Sequence, residues 1–349
     1  MTRSASPTPV RPGHAESETA GATGPAAAFP TLSVVVPNFN HAKYLEFSLP
    51  AILRQSAPPL EVIVLDDAST DHSVEVIRRF AAQHPSIRLV QNEKNLGVMP
   101  NINRGVELAR GECVYVGSAD DEVVPGLFEK SLRMLVQYPQ AAYCCAITEW
   151  RETFSGLVWH MAAGMADRPC YLSPDEMVRL GKKGRLCLVN SSCVMKTAAL
   201  REAGSFVPEL RWHADWFATY VTGFRYGVCF LPEILSVANL LPGSFYQAGH
   251  KREQHRQVLV KLMELLNSEK YADVRPRLRD AGELALFAMP MLRLLLSRPE
   301  YRRYINPTLL RKTFRRSAEL KAKRYFPAWL ARWCLNLFYR KSDPKPAAA

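Results

Sequence analysis

Three short apolar runs in the first third of the chain each end in polar side chains suited to binding phosphate or metal. Asn38-Phe39-Asn40 follows the run Leu32 to Val36 and its stop at Pro37. Asp66-Asp67 follows Glu61-Val62-Ile63-Val64-Leu65, and Asp120-Asp121 closes the run that begins Cys113-Val114-Tyr115-Val116. Four carboxylates brought to one place repel one another unless a cation or cationic ligand sits among them. Hard oxygen ligands suit Mg²⁺ or Mn²⁺, which take one or two carboxylates and fill the remaining positions with water and phosphate oxygens. A diphosphate-bearing ligand with such a metal is the chemistry expected. Any one Asp pair read alone is a capping or turn feature, because Asp is common there. Three strand ends together favour a site.

A second candidate lies far downstream, in Glu209-Leu210-Arg211-Trp212-His213-Ala214-Asp215-Trp216. Asp215 is a lone carboxylate among Trp212, Trp216 and Phe217, and an apolar setting raises a carboxyl pKa towards that of a useful base. An Asp near a helix N-terminus reads equally well from the spacing. His213 is either a donor to a diphosphate or a solvated neighbour.

The elements that must position these groups follow from periodicity. Leu32 to Val36, Glu61 to Leu65, Ile87 to Val90 and Cys113 to Val116 are short, β-branched and bounded by Pro, Asp or Gly, as buried strands are. Between them lie helical stretches: one with Tyr44, Leu45, Leu49 and Ile52 on a face, one with Val76, Ile77 and Phe80, and one over Asn101–Ala109 that stops at Gly111. Alternating strands and helices imply a mainly parallel sheet covered on both faces, with ligands beyond the carboxyl ends of its strands.

Ser33-Val34-Val35-Val36-Pro37-Asn38-Phe39-Asn40 and Val64-Leu65-Asp66-Asp67-Ala68-Ser69-Thr70-Asp71, then Asn95-Leu96-Gly97, Asn103-Arg104-Gly105, Ala109-Arg110-Gly111-Glu112 and Ser118-Ala119-Asp120-Asp121, occur in the order of the family 2 glycosyltransferases. The chain resembles these inverting enzymes of GT-A fold over about residues 31–245. The resemblance implies a nucleotide-sugar donor, with Pro37, Asn38 and Asn40 near the base, Asp67 bonded to it, and Asp120 at the ribose or metal. Asp121, with Asp120, would hold Mn²⁺ or Mg²⁺. It also implies Asp215 as catalytic base, Asn190 and Ser191 as sugar contacts, and Trp212 and His213 close to the acceptor. From the residues alone, Asn190-Ser191-Ser192 is as well read as a strand entry. Ser118 stands where many members carry a first Asp, which leaves the metal ligand set open. Pro208 replaces the Gln of the processive signature before Arg211-Trp212, so a single-sugar transfer is implied.

The expected organisation is a disordered segment over 1–29, a GT-A domain over 30–245 (nucleotide part 30–125, acceptor part 126–245) and a basic helical region over 246–349. Residues 251–349 hold 23 Lys and Arg against 9 Asp and Glu, whereas the rest of the chain is nearly neutral. Arg311-Lys312-Thr313-Phe314-Arg315-Arg316 and the aromatic, basic stretch Phe326–Lys341 have the composition of a helix lying on an anionic membrane surface, or of one packed on the domain with a solvated basic face. No nucleic-acid module accompanies the charge, so no nucleic-acid partner is expected. Eight cysteines without C-x-x-C spacing read as reduced. With no apolar leader or spanning run, a cytoplasmic place is expected, peripheral to the cytoplasmic face of the inner membrane. The acceptor expected is a glycan or lipid-linked glycan. No G-x-G-x-x-G or P-loop motif occurs, which disfavours dinucleotide oxidoreductases and P-loop enzymes. The alternative is a catalytically degenerate member that binds nucleotide or a partner.

Overall fold

Val34, Val35 and Val36 have no solvent-exposed surface, and neither do Val62, Ile63, Val64 and Leu65. These runs are buried on both faces, which is why they read as continuous apolar segments without alternation. The structure, a computed structural model, describes residues 29–154, 156–241 and 252–325. The segment 1–28 and the stretch Phe326–Lys341 lie outside the described residues.

The strands β1 (Leu32–Asn38), β2 (Glu61–Asp66), β3 (Ile87–Gln91) and β4 (Cys113–Val116) pair in parallel in the order β3-β2-β1-β4. Between them lie α1 (Ala42–Leu53), α2 (Ser73–Gln83) and α3 (Val98–Leu108). This half matches the expectation, except that α3 starts three residues before Asn101. Gly97, at φ 88°, supplies the left-handed residue that turns the chain into the helix. Gly105 on α3 permits close packing, because a Cβ there would lie 2.3 Å from Val35 and 2.7 Å from Leu65.

The second half is mixed, which corrects the mainly parallel expectation. It contains β5 (Glu122–Val123), α4 (Leu127–Gln137), β6 (Tyr143–Glu152), β7 (Leu157–Met161), β8 (Cys170–Leu172), α5 (Pro174–Lys183), β9 (Val194–Lys196), α6 (Thr197–Ala203), α7 (Ala214–Tyr226) and β10 (Val228–Leu240). The sheet continues from β4 as β9-β6-β10-β5, with β7 on β6 and β8 on β10. β9 runs antiparallel to both β4 and β6, so β6 runs parallel to β4, and β10 is parallel to β6. The carboxyl ends of β1, β2, β4, β6 and β10 therefore share one edge. Short antiparallel strands leave little local signal, because each is only a few residues long.

Two core clusters cover the two faces. One packs Leu45, Leu49, Val76, Ile77, Leu127 and Phe128 against the sheet. The other runs from Val35 and Val106 through Phe217 and Phe224 into Leu262, Phe287, Leu295 and Leu309. The C-terminal helices α8 (Arg252–Asn267), α9 (Arg275–Ala281), α10 (Ala288–Ser297) and α11 (Pro307–Tyr325) thus share a core with the sheet. Among the described residues, cysteines 113, 144, 145, 170, 187, 193 and 229 are free. Among the described residues, no helix is long and apolar enough to cross a membrane.

Candidate active site

The register of β1 on β2 sets Asn38 level with Asp66. Asn38 Nδ2 donates to Asp66 Oδ1 (2.8 Å) and to Ser69 Oγ (3.1 Å). The Asn38 side-chain oxygen is buried with no hydrogen-bond partner in the structure. An unmatched buried acceptor is uncommon and suits a ligand donor. Asn40, at φ 56°, accepts on its side-chain oxygen from Thr70 N (2.8 Å) and Asp71 N (3.3 Å). Asn tolerates that left-handed conformation better than most residues. Asn38 and Asn40 thus stitch two strand ends together, beside half-buried Pro37.

Asp67 is buried and holds a loop. Its Oδ1 accepts from Asn92 Nδ2 (2.7 Å) and Leu96 N (2.9 Å), and its Oδ2 from Gly97 N (2.9 Å). Asn101 accepts from Asn92 (2.9 Å) and donates to Leu65 O (3.0 Å), while Arg104 donates to Asn92. This network gives the Asn95-Leu96-Gly97 loop its shape. Asn92 and Asn101 carry no signal in a sequence read by runs and caps, because their partners lie on other elements.

At the end of β4, Gly117 N donates to Val35 O (2.9 Å), which brings Asp120 and Asp121 alongside the β1 end. The Ser118 hydroxyl donates to the Asp120 carboxylate, so the residue standing in place of an Asp orients its neighbour. Asn239, near the end of β10, grips both acids: its backbone N–H donates to Asp121 Oδ1 (3.1 Å) and its side chain to Asp120 O (2.8 Å). No motif in the sequence marks Asn239, which lies more than a hundred residues from both acids. Burial, then the charge of Asp120, pushes the half-buried Asp121 carboxyl up to about 8. Desolvation disfavours the charged carboxylate, and the neighbouring carboxylate adds repulsion to it. Among the described residues, no group of three His, Cys, Asp or Glu side chains forms a closed metal site. A pair of carboxylates fits Mg²⁺ or Mn²⁺, whose remaining positions would be filled by phosphate oxygens and water.

Asn190 to Ser192 form a 3₁₀ turn beside the end of β6. Tyr115, on β4, donates its hydroxyl to Ser191 O (2.9 Å), and Ser191 Oγ lies 3.4 Å from Thr148 Oγ1 on β6. Both Asn190 and Ser191 are half-buried between the two strand ends. Further along, β7 folds back on β6 and sets Trp159 opposite Trp150, ring centroids 5.8 Å apart, with Ala238 on the other side of Trp150.

Asp215 lies in the first turn of α7. That helix delivers the chain to the start of β10, so its N-terminus stands at the carboxyl edge of the sheet, on the α3 side. Asp215 Oδ1 accepts from Trp216 N (2.7 Å). Burial raises its carboxyl to about 6 despite that bond. His213 is no solvated neighbour, which corrects that alternative. Its ring lies 4.7 Å from Phe287 and 5.6 Å from His255, and its Nε2 accepts from Trp212 Nε1 (3.1 Å). Burial and then His255 lower its pKa to about 3, so the ring is neutral. Arg211, two residues earlier, sits at φ 49°, ψ −122°, a strained place for a side chain.

Comparison with known proteins bears on family and fold. The model for Glycosyl transferase family 2 matches residues 33–203. The uncharacterized glycosyltransferase YibD of Escherichia coli K12 is 35% identical over 129 residues, 37% of this chain and 37% of its own. Glycosyltransferase GlyG of Streptococcus pneumoniae is 36% identical over 98 residues, 28% of this chain and 33% of its own. The matched segments thus span about a third of the length of these relatives. Among solved structures, S. aureus TarS residues 1–349 with UDP-GlcNAc superposes at TM-score 0.56 with 17% identity, covering 72% of this chain and 71% of that one. Mannosyltransferase PcManGT from Pyrobaculum calidifontis, with GDP-Man and Mn²⁺, gives 0.51 at 19% identity over 84% and 87%. At such identities the structures speak to fold alone, and the fold is GT-A. Strand ends, motif order and family match together identify the segment 33–203 of the chain as a Glycosyl transferase family 2 domain.

Proposed function

We propose that the chain transfers one sugar, with inversion, from a nucleotide-sugar donor to an acceptor hydroxyl. The donor nucleotide lies across the ends of β1, β2 and β4, where Asn38 offers an unmatched acceptor. Asp121 and Asp120 would hold Mn²⁺ or Mg²⁺, which when bound neutralises charge on the departing diphosphate. Asp215 accepts the proton of the acceptor hydroxyl as its oxygen bonds to the anomeric carbon. The bond from that carbon to the diphosphate breaks on the opposite face, and the nucleoside diphosphate leaves with the bonding pair. Half-burial tunes Asp215 to this task, since a base titrating near 6 is ionised at neutral pH yet more basic than an ordinary Asp. The pairing of an acidic strand end with this carboxylate on the same sheet edge is what supports catalysis over nucleotide binding alone.

Asn190 and Ser191, together with the Trp150–Trp159 pair, would line the acceptor side, where apolar ring faces suit sugar C–H groups. The neighbours bound to UDP-GlcNAc and GDP-Man make uridine and guanosine sugars the first donors to try. A glycan or lipid-linked glycan in polysaccharide synthesis is the acceptor class we favour, reached from the cytoplasmic membrane face through the basic C-terminal region. Calorimetry with UDP, GDP, dTDP and CDP, in Mn²⁺ and in EDTA, tests the donor site. Metal-dependent binding of one nucleotide is expected, and binding of none would overturn the proposal. Asp215→Asn should keep nucleotide affinity within about twofold while cutting turnover at least 100-fold, the range of general-base contributions. Tight nucleotide binding without turnover in the unsubstituted chain would favour the degenerate, non-catalytic alternative.

A further inference from the structure

The segment that carries Asp215 is gripped from the C-terminal helical region. The residue two positions before it and the residue after it both pack on one ring, that of Phe287. The His213 ring meets Phe287 edge-on at 4.7 Å and 69°, and the Trp216 ring does so at 5.0 Å and 77°. These are favoured aromatic geometries. Phe287 is 4% exposed and ends a 3₁₀ turn, Glu283–Phe287, that leads into α10.

Backbone strain stands on both sides of this contact. Arg211, upstream of the gripped histidine, has φ 49°, ψ −122°, and Ala288, directly after Phe287, has φ 51°, ψ −142°. Conformations of this kind persist only where surrounding structure over-determines them, and they cluster at functional sites. The turn that carries Phe287 is itself anchored. Buried Glu283 accepts from Lys312 Nζ on α11 (2.7 Å), and Lys312 also donates to Ala281 O (3.0 Å). Neutral His213 suits an apolar contact, whereas a charged imidazolium there would be costly.

We propose that Phe287 is a positioning residue for the transfer reaction: the C-terminal helical region holds the Arg211–Trp216 segment, and with it the Asp215 carboxylate, in place, the Phe287 ring bracing both His213 and Trp216 while His255 of α8 meets His213 alone. The inference rests on the reading of Asp215 as the base. Phe287 is buried beneath the base segment and offers almost no surface to a substrate, so its loss should lower turnover without weakening nucleotide binding. Misplacing a catalytic group by about 1 Å can cost on the order of 100-fold in rate.

The test uses the full chain and four variants, Phe287→Ala, Phe287→Leu, Leu295→Ala and Asp215→Asn. Leu295 is fully buried in α10 and provides a core truncation that makes no ring contact with the base segment. Turnover is read as nucleoside diphosphate released from UDP-GlcNAc and from GDP-mannose with Mn²⁺, water serving as acceptor. Amide hydrogen exchange is read on segments 208–216 and 66–71. For Phe287→Ala the expected result is kcat down about 10- to 100-fold, with donor KM and nucleotide Kd within about twofold. Exchange should speed up at least tenfold in 208–216 alone. Phe287→Leu, which refills most of the volume, should recover kcat to within about threefold, an effect expected of positioning by packing. Unchanged exchange in 208–216 for Phe287→Ala overturns the proposal whether or not either donor turns over. So does a kcat loss no larger than that of Leu295→Ala. Full turnover in Asp215→Asn would instead sink the base assignment, a separate failure that leaves the exchange result standing.

Discussion

Asp215 carries opposite consequences for rate and for stability. Its carboxyl titrates near 6 because burial disfavours the charged form. As the proposed base, Asp215 must be ionised to accept a proton, so kcat/KM should rise with unit slope below about pH 6 and level off above it. A profile flat from pH 5 to 7 would remove Asp215 from the role. Stability runs the other way. The folded state binds this proton more tightly than the unfolded chain does, so stability falls as pH rises from the ordinary value of 3.8 towards 6. The full cost, about 1–3 kcal/mol with allowance for partial exposure, is present above pH 6. Asp215→Asn should therefore melt several degrees higher than the unsubstituted chain at pH 8 while losing transfer. An unchanged or lower melting temperature there would mean the site does not strain the carboxylate.

Between elements, the decisive contact is that of β10 with the end of β4. Asn239 bonds both Asp120 and Asp121 from a strand that enters the sheet from the far half of the chain. If Asp120 and Asp121 hold the metal as proposed, Asn239 is an outer partner, and such partners typically contribute 10- to 100-fold in metal affinity. Asn239→Ala keeps the backbone bond to Asp121 and removes the side-chain bond to Asp120 O, so a loss of about tenfold in Mn²⁺-dependent nucleotide affinity is expected. Titration of Mn²⁺ at fixed nucleotide checks it. Asp121→Ala should lose more than Asn239→Ala, and the reverse order would mean that Asn239 acts elsewhere. Asp67 shapes its loop in the same indirect way, through Leu96 and Gly97.

For the whole molecule, the uneven charge matters most. Helix α11 packs inward through Leu309, Thr313, Glu319 and Ala322, while Arg311, Phe314 and Lys321 stay exposed. As far as Tyr325, then, the basic region both belongs to the core and presents a cationic face. Removing 311–349 would cut into that core, so the membrane proposal is better tested by removing 326–349. That deletion takes away four Lys and Arg along with the aromatic stretch. Each basic residue near an anionic leaflet contributes about 1 kcal/mol. Sedimentation with phosphatidylglycerol vesicles should show binding at least tenfold weaker for the shortened chain, with the difference shrinking at high salt. Equal binding would refute a membrane role for that stretch.

Sequence alone determined the features whose cause is local. Strands β1 to β4 were legible because full burial demands unbroken apolar runs, and Asp66-Asp67 and Asp120-Asp121 because polar residues must end them. Motif order carried the family, and with it the reason to single out Asp215. Tertiary structure decided what depends on distant partners. The antiparallel course of β9, the grip of Asn239, the Asp67 loop bonds and the ring of Phe287 against His213 each join residues far apart along the chain. Such contacts leave no periodicity, since each partner taken singly is an ordinary strand, loop or core residue. Burial belongs to the same class: only packing from several elements could turn His213 into a neutral ring and Asp215 into a carboxylate that titrates near 6.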